Sequence, residues 1–111
     1  MNPIILKNLR RLISKAELTN STYIETPLYA IEMLVYIALY QDDHPIHASE
    51  LCEALKVKPD KVLRALRQHL CIYVQAVNTR KEGVRGPVKA FYLTQKGEEY
   101  IKNLIKEYEN S

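Results

Sequence analysis

The chain has 111 residues, of which 47% are apolar and 26% charged, with a formal net charge of +3. That mixture and length predict one globular domain with a single core, and they exclude a low-complexity or disordered chain. No run approaches the roughly 18 consecutive apolar residues of a membrane helix. Lys7 and Arg10 interrupt the apolar N-terminal residues, so no signal-peptide h-region is present and a cytoplasmic location is expected.

The charge is unevenly spread. Residues 1–15 carry Lys7, Arg10, Arg11 and Lys15 without an acid, whereas residues 16–55 carry seven acids without a base. Residues 56–89 then hold nine bases against Asp60 and Glu82, a balance of +7. A segment this basic in a nearly neutral chain points to a polyanionic partner that touches one face.

Pro3 to Glu17 reads as an amphipathic helix, with Ile5, Leu9, Leu12, Ile13 and Ala16 as its apolar stripe and the four bases on its wet side. It lacks the aromatics of a membrane-surface helix, so packing on the domain is expected. Leu18 to Thr26 is a connector rich in Thr, Ser and Asn. Thr26-Pro27 opens a second helix that runs to Tyr40 and is apolar almost all round, with Glu32 its only charge. Leu28, Ile31, Val35, Ala38 and Leu39 would line the core. Tyr29, Met33, Tyr36 and Tyr40 form a second stripe that calls for terminal helices or another subunit, or that lines a pocket.

Gln41 to Pro45 is a loop. Asp42, Asp43, His44 and His47 can be weighed as metal ligands, but they lie in a polar loop whose Asp and Pro are explained by turn chemistry, and no metal or other cofactor is expected. Pro45 to Leu70, PIHASELCEALKVKPDKVLRALRQHL, then reads as two short helices joined by a tight turn. His47 and Glu50 make a weak capping box for the first helix, and Pro59 starts the second. Helical spacing gathers Val62, Leu63, Leu66 and Leu70 on a buried side. Lys61, Arg64, Ala65 and Gln68 gather on the opposite side, flanked by Asp60 and Arg67. This is a helix-turn-helix pattern, its second helix sized for a DNA major groove, where arginine can read guanine and glutamine adenine. Cys52 and Cys71 lie in or beside these helices, where unpaired thiols are expected as small buried hydrophobes in a reducing compartment.

After Leu70 the period becomes that of strands, Cys71 to Asn78 and Val88 to Leu93. Between them TRKEGVRGP carries two glycines, a proline and three bases, which predicts a β-hairpin with a cationic tip. Arg85, beside Gly86, suits a phosphate backbone or a minor groove. Thr94 caps a last helix from Gln95 to about Tyr108, with Tyr100, Ile101, Leu104, Ile105 and Tyr108 on its apolar side.

The helix-turn-helix, the two strands around RKEGVRGP and the following FYLTQKGEEYI together resemble the winged-helix transcriptional regulators of prokaryotes and their plasmids and phages, notably the MarR-like and PadR-like groups. The resemblance spans about residues 27–108, and FYLTQKG is its most specific part. It implies an α+β, mostly α, winged helix-turn-helix with a core at about 27–94. Terminal helices at 3–17 and 95–108 would serve dimerisation. It also implies a homodimer that binds double-stranded DNA, through Lys58, Lys61, Arg64, Gln68, Arg85 and their neighbours. Arg67, Arg80, Lys81 and Lys89 complete the expected DNA-binding set. The chain lacks the cysteine cluster that iron–sulfur repressors of similar layout carry after the reading helix, so cluster sensing is not expected. Plasmid-partition proteins that bind centromere DNA share the architecture, and a winged-helix module that binds protein is the further alternative. No catalytic triad, phosphate-cradling glycine loop or acid pair on one face emerges, and no enzyme is expected.

Overall fold

The computed structural model describes residues 3–14 and 28–110. Its axis is helix α2, Leu28–Tyr40, in which Ala30, Met33, Leu34, Val35 and Ile37 have no exposed surface. A helix apolar on every side must be covered on every side. α1 (Pro3–Ser14), α3 (Ala48–Leu55), α5 (Gln95–Asn110) and strand β2 (Val88–Leu93) all pack against it. Each large apolar side chain so buried stabilises the fold by about 1.5–3 kcal/mol.

Of the tyrosine-bearing stripe of α2, Met33 and Tyr36 are buried within the chain, while Tyr29 and Tyr40 are half-buried. Leu6 of α1 is buried, and one turn later Arg10 lays its guanidinium 5.0 Å from the Tyr36 ring centroid, with Nε 3.4 Å from a Glu32 carboxylate oxygen. Arg10 therefore does not belong to the wet side of the first helix. A carboxylate on an otherwise apolar helix needs a cation, and the i, i+4 pair Leu6 and Arg10 faces α2 together. The side chains of Ile5, Leu9, Leu12 and Ile13, and residues 15–27 with the Thr26-Pro27 helix start, lie outside the described residues.

α3 ends at Lys56 in the left-handed conformation, φ 56°, where the backbone N–H groups of Lys56 and Val57 both donate to the Cys52 carbonyl. A residue other than glycine costs about 1–2 kcal/mol in this region. α4, Pro59–Arg64, follows with proline in its first turn, and continues as a widened π turn over Ala65–His69 in which Leu70 N–H donates to Ala65 C=O at 2.9 Å. Val62, Ala65 and Leu66 are i, i+3, i+4 neighbours on the buried side, and the five-residue bonding brings Leu70 back over Ala65. The core stripe is thus Val62, Ala65, Leu66 and Leu70. Leu63, expected inside, is 40% exposed, and Ala65, expected outside, is fully buried.

The hairpin pairs β1 (Val74–Thr79) with β2, antiparallel, in register from Val74 opposite Leu93 to Thr79 opposite Val88. β1 starts three residues later than the sequence suggests. The N–H groups of Tyr73 and Val74 donate back to Leu70 C=O, at 3.0 and 2.9 Å, while Thr94 engages the Ile72 and Tyr73 carbonyls. Residues 71–73 are consequently a turn, which leaves Cys71 exposed instead of buried; Cys52 packs half-buried against the core. Phe91 N–H donates to Ile46 C=O and Leu93 N–H to the Gln41 side-chain carbonyl, which ties the loop before α3 to the outer edge of β2.

Thr94 caps α5 as expected: its hydroxyl accepts from Gly97 N–H at 3.1 Å and its carbonyl from Glu98 N–H at 2.9 Å. The whole is an α+β winged helix-turn-helix topology, a core of α2, α3 and α4 with a β-hairpin and flanking α1 and α5. A β-carbon at Gly97 would lie inside contact distance of the Tyr73 carbonyl oxygen that Thr94 N–H binds. Gly97→Ala is therefore expected to destabilise the fold by about 1–3 kcal/mol in urea unfolding, because backbone rather than a movable side chain must give way.

Candidate nucleic-acid interface

All nine residues expected to face DNA are exposed: Lys58, Lys61, Arg64, Arg67, Gln68, Arg80, Lys81, Arg85 and Lys89. Burial of Ala65 turns the outer face of α4 relative to the sequence expectation. Asp60, Arg64 and Arg67, spaced i, i+4 and i+7, form its outward line, with Lys61 and Gln68 on one flank and Leu63 on the other. Asp60 and Arg67 are thus central rather than flanking.

Three adjoining depressions cross this face. Tyr29, Lys56, Lys58, Asp60, Lys61 and Arg64 line the first, beside the turn between α3 and α4. Asp60, Arg64, Arg67 and Gln68 line the second. Leu63, Arg67, Val74, Ala76, Lys89 and Phe91 are among the residues around the third, between the helix and the hairpin. Arg64 belongs to the first two and Arg67 to the last two, so a basic band runs from the turn, over α4, to Lys89 of β2.

The hairpin reaches this band through one of its faces. Residues directly opposite in an antiparallel pair share a face, so Val74, Ala76 and Asn78 lie with Leu93, Phe91 and Lys89. The inner part, Val74, Phe91 and Leu93, is buried in the core, and the outer part, Ala76, Asn78 and Lys89, is exposed. At the tip, Val84 N–H donates to Lys81 C=O across a turn with Gly83 at φ 80°, the third-position geometry of a type II turn. Lys81 Nζ donates to Ser49 Oγ at 2.9 Å, which fastens the tip to the first turn of α3. Arg80 lies in a shallow depression with Asn78, Thr79, Val84, Gly86 and Pro87, and Arg85 stands in the exposed tip.

α3 is held in place by Glu50, which does not form the expected capping box. Its carboxylate accepts from Tyr36 Oη at 2.5 Å and lies 2.7 and 2.9 Å from His44 Nε2, and His47 at the helix start makes no side-chain cap. His47 Nδ1 instead lies 3.0 Å from the Lys89 carbonyl, which can only accept, so the imidazole donates. The two histidines weighed as ligands therefore serve separate contacts. Among the described residues no group of three or more His, Cys, Asp or Glu is placed to hold a metal.

Ser49 and Tyr29 also belong to this surface, beyond the flanking Asp60 and the basic segment that begins at Lys56. Lys56 was visible as a base in the turn; Tyr29 carries no local signal, since its place depends on how α2 meets α4.

Burial, then the hydrogen bond to Glu50, push the Tyr36 phenol far above the ordinary tyrosine value. Its folded pKa is raised, so its contribution to stability is complete below the unfolded pKa of about 10 and is lost as pH rises beyond it, because the unfolded chain then holds fewer protons. An alkaline absorbance titration is expected to show one tyrosine that resists ionisation until the fold gives way, and Tyr36→Phe is expected to remove that late step.

Comparison of the chain with protein-family models, with curated proteins and with solved structures yields no match.

Proposed function

We propose that the chain is a sequence-specific double-stranded DNA-binding protein, a homodimeric transcriptional regulator that sets α4 in a major groove and the 79–89 wing against the backbone or the minor groove. The observation that carries this reading is the basic band that joins the turn, the outward line of α4 and Lys89 of the hairpin. Such a band suits a polyanion of regular shape.

Each side chain has a chemical task in this reading. The Arg64 fork matches the O6 and N7 acceptors of guanine, Gln68 the N6 and N7 pair of adenine, and Asp60 can accept from cytosine N4. Lys81 spends one of its three donors on Ser49 and keeps two for a phosphate. Arg85 would enter a minor groove, with Arg80 on the adjoining backbone. Pairing through the terminal helices, where Ile4 is 69% exposed and Leu104 and Ile105 are partly so, would have to set two reading helices about 34–36 Å apart to meet successive half-sites. A partition protein on centromere repeats would use the same contacts. A module gripping a protein segment is the second reading, favoured by the exposed apolar residues Leu63 and Ala76 between helix and hairpin. No catalytic step belongs to any of these.

Salt dependence separates the readings. Affinity for a duplex selected from random sequence is expected to fall steeply with salt, whereas a protein ligand would give a shallow response. Arg64→Ala or Gln68→Ala is expected to relax the preference at one base position, a loss of about 1–3 kcal/mol there. Lys81→Ala is expected to weaken all sequences alike and to lower the salt slope by about one unit. Equal losses on every sequence for all three variants would contradict base reading by α4.

A further inference from the structure

The depression beside the turn shares Asp60 and Arg64 with the base-reading line, and its lysines and Tyr29 carry chemistry that base reading does not use. Lys56, Lys58, Lys61 and Arg64 surround it with Asp60 as the one acid, a local balance of +3, and Tyr29 at the start of α2 forms its aromatic wall. Lys61 Nζ lies 4.3 Å from the Tyr29 ring centroid, which draws this ammonium to the flank of α4, off the outward line of Asp60, Arg64 and Arg67. A ring face engages one side of an ammonium and leaves N–H donors on its other side for a further partner. Lys56 is the only residue other than glycine with a positive φ among those described. Glycine fits that conformation freely, yet the chain carries a long cation there, on the rim of the same depression.

We propose that this cleft, between the α3–α4 turn and the start of α2, is a backbone-phosphate site for one strand of the bound duplex, with Lys61 held by Tyr29 and Lys56 as its charged anchors. The proposal rests on the DNA-binding reading above and assigns Lys61 a role in it: Lys61 fixes the register of α4 on the duplex and does not read bases. The ammonium held by Tyr29 presents its donors to a phosphate oxygen, and Lys56 approaches from the other side of the turn. Phosphate contacts of this type position a protein without carrying sequence information.

The test measures binding of a selected duplex and a scrambled duplex across a salt series, with the full chain and with Lys61→Ala, Lys56→Gly, Tyr29→Leu and Gln68→Ala. Lys61→Ala and Lys56→Gly are each expected to weaken both duplexes by the same factor and to reduce the salt slope by about 0.9. Lys56→Gly removes the charge at a position whose backbone glycine tolerates, so its melting temperature should stay within a few degrees of the parent. Tyr29→Leu keeps every charge and is expected to weaken both duplexes about two- to five-fold, with the slope retained. Gln68→Ala, which lies outside the cleft, is expected to change the ratio between the duplexes and keep the slope. An unchanged slope in Lys61→Ala, or a change in its ratio between duplexes, would overturn the proposal while leaving DNA binding intact. Absence of binding by the unaltered chain would overturn both.

Discussion

The burial of α2 on every side is the constraint from which the rest of the molecule follows. A thirteen-residue helix with Glu32 as its only charge has no polar face to offer water, so α1, α3, α5, β2 and the π turn after α4 are recruited as its cover. α1 supplies Leu6 and the Arg10 guanidinium, α3 supplies Leu51, α5 supplies Ile101, and the hairpin supplies Phe91 and Leu93. The one carboxylate is met by Arg10 of α1, and a charge that would be expensive unpaired becomes part of the packing.

That constraint also orients the surface. α4 must present Val62, Ala65, Leu66 and Leu70 to the core, and the π turn keeps Leu70 in line where an unbroken α-helix would carry it toward Leu63. What remains outside is Asp60, Arg64 and Arg67, with Lys61 and Gln68 beside them. The hairpin is then anchored to the core through Val74, Phe91 and Leu93, to the segment before α3 through Gln41, Ile46 and His47, and to α3 through the Lys81 and Ser49 contact. Position of the wing relative to α4 is therefore a property of the fold rather than of a free loop.

Much of this was legible from local signals. Thr94 reads as a cap because hydroxyl caps act within three residues, and Pro59 reads as a helix start because its lost N–H matters nowhere else so little. The hairpin is announced by two β-branched runs around Gly83 and Gly86, and the exposure of the nine candidate residues by the charge of eight of them and the helical phase of Gln68. What was not legible depends on partners distant in sequence. A uniform 100° per residue through Leu70 misphases α4, because the π turn over Ala65–His69 intervenes. Residues 71–73 favour strands by composition, whereas the Thr94 junction holds them in a turn. Arg10 looked solvated because Glu32 lies 22 positions away, and the Lys61 and Tyr29 contact is invisible until α4 is laid against α2.

The most direct measurement is amide chemical-shift mapping of the full chain during titration with a duplex selected from random sequence. If the turn, the outward line of α4 and the wing form one surface for DNA, shifts will move together at 56–68 and 78–89, with α1 and α5 silent apart from any subunit contact. Shifts confined to the terminal helices, or to α4 without the wing, would contradict a shared surface.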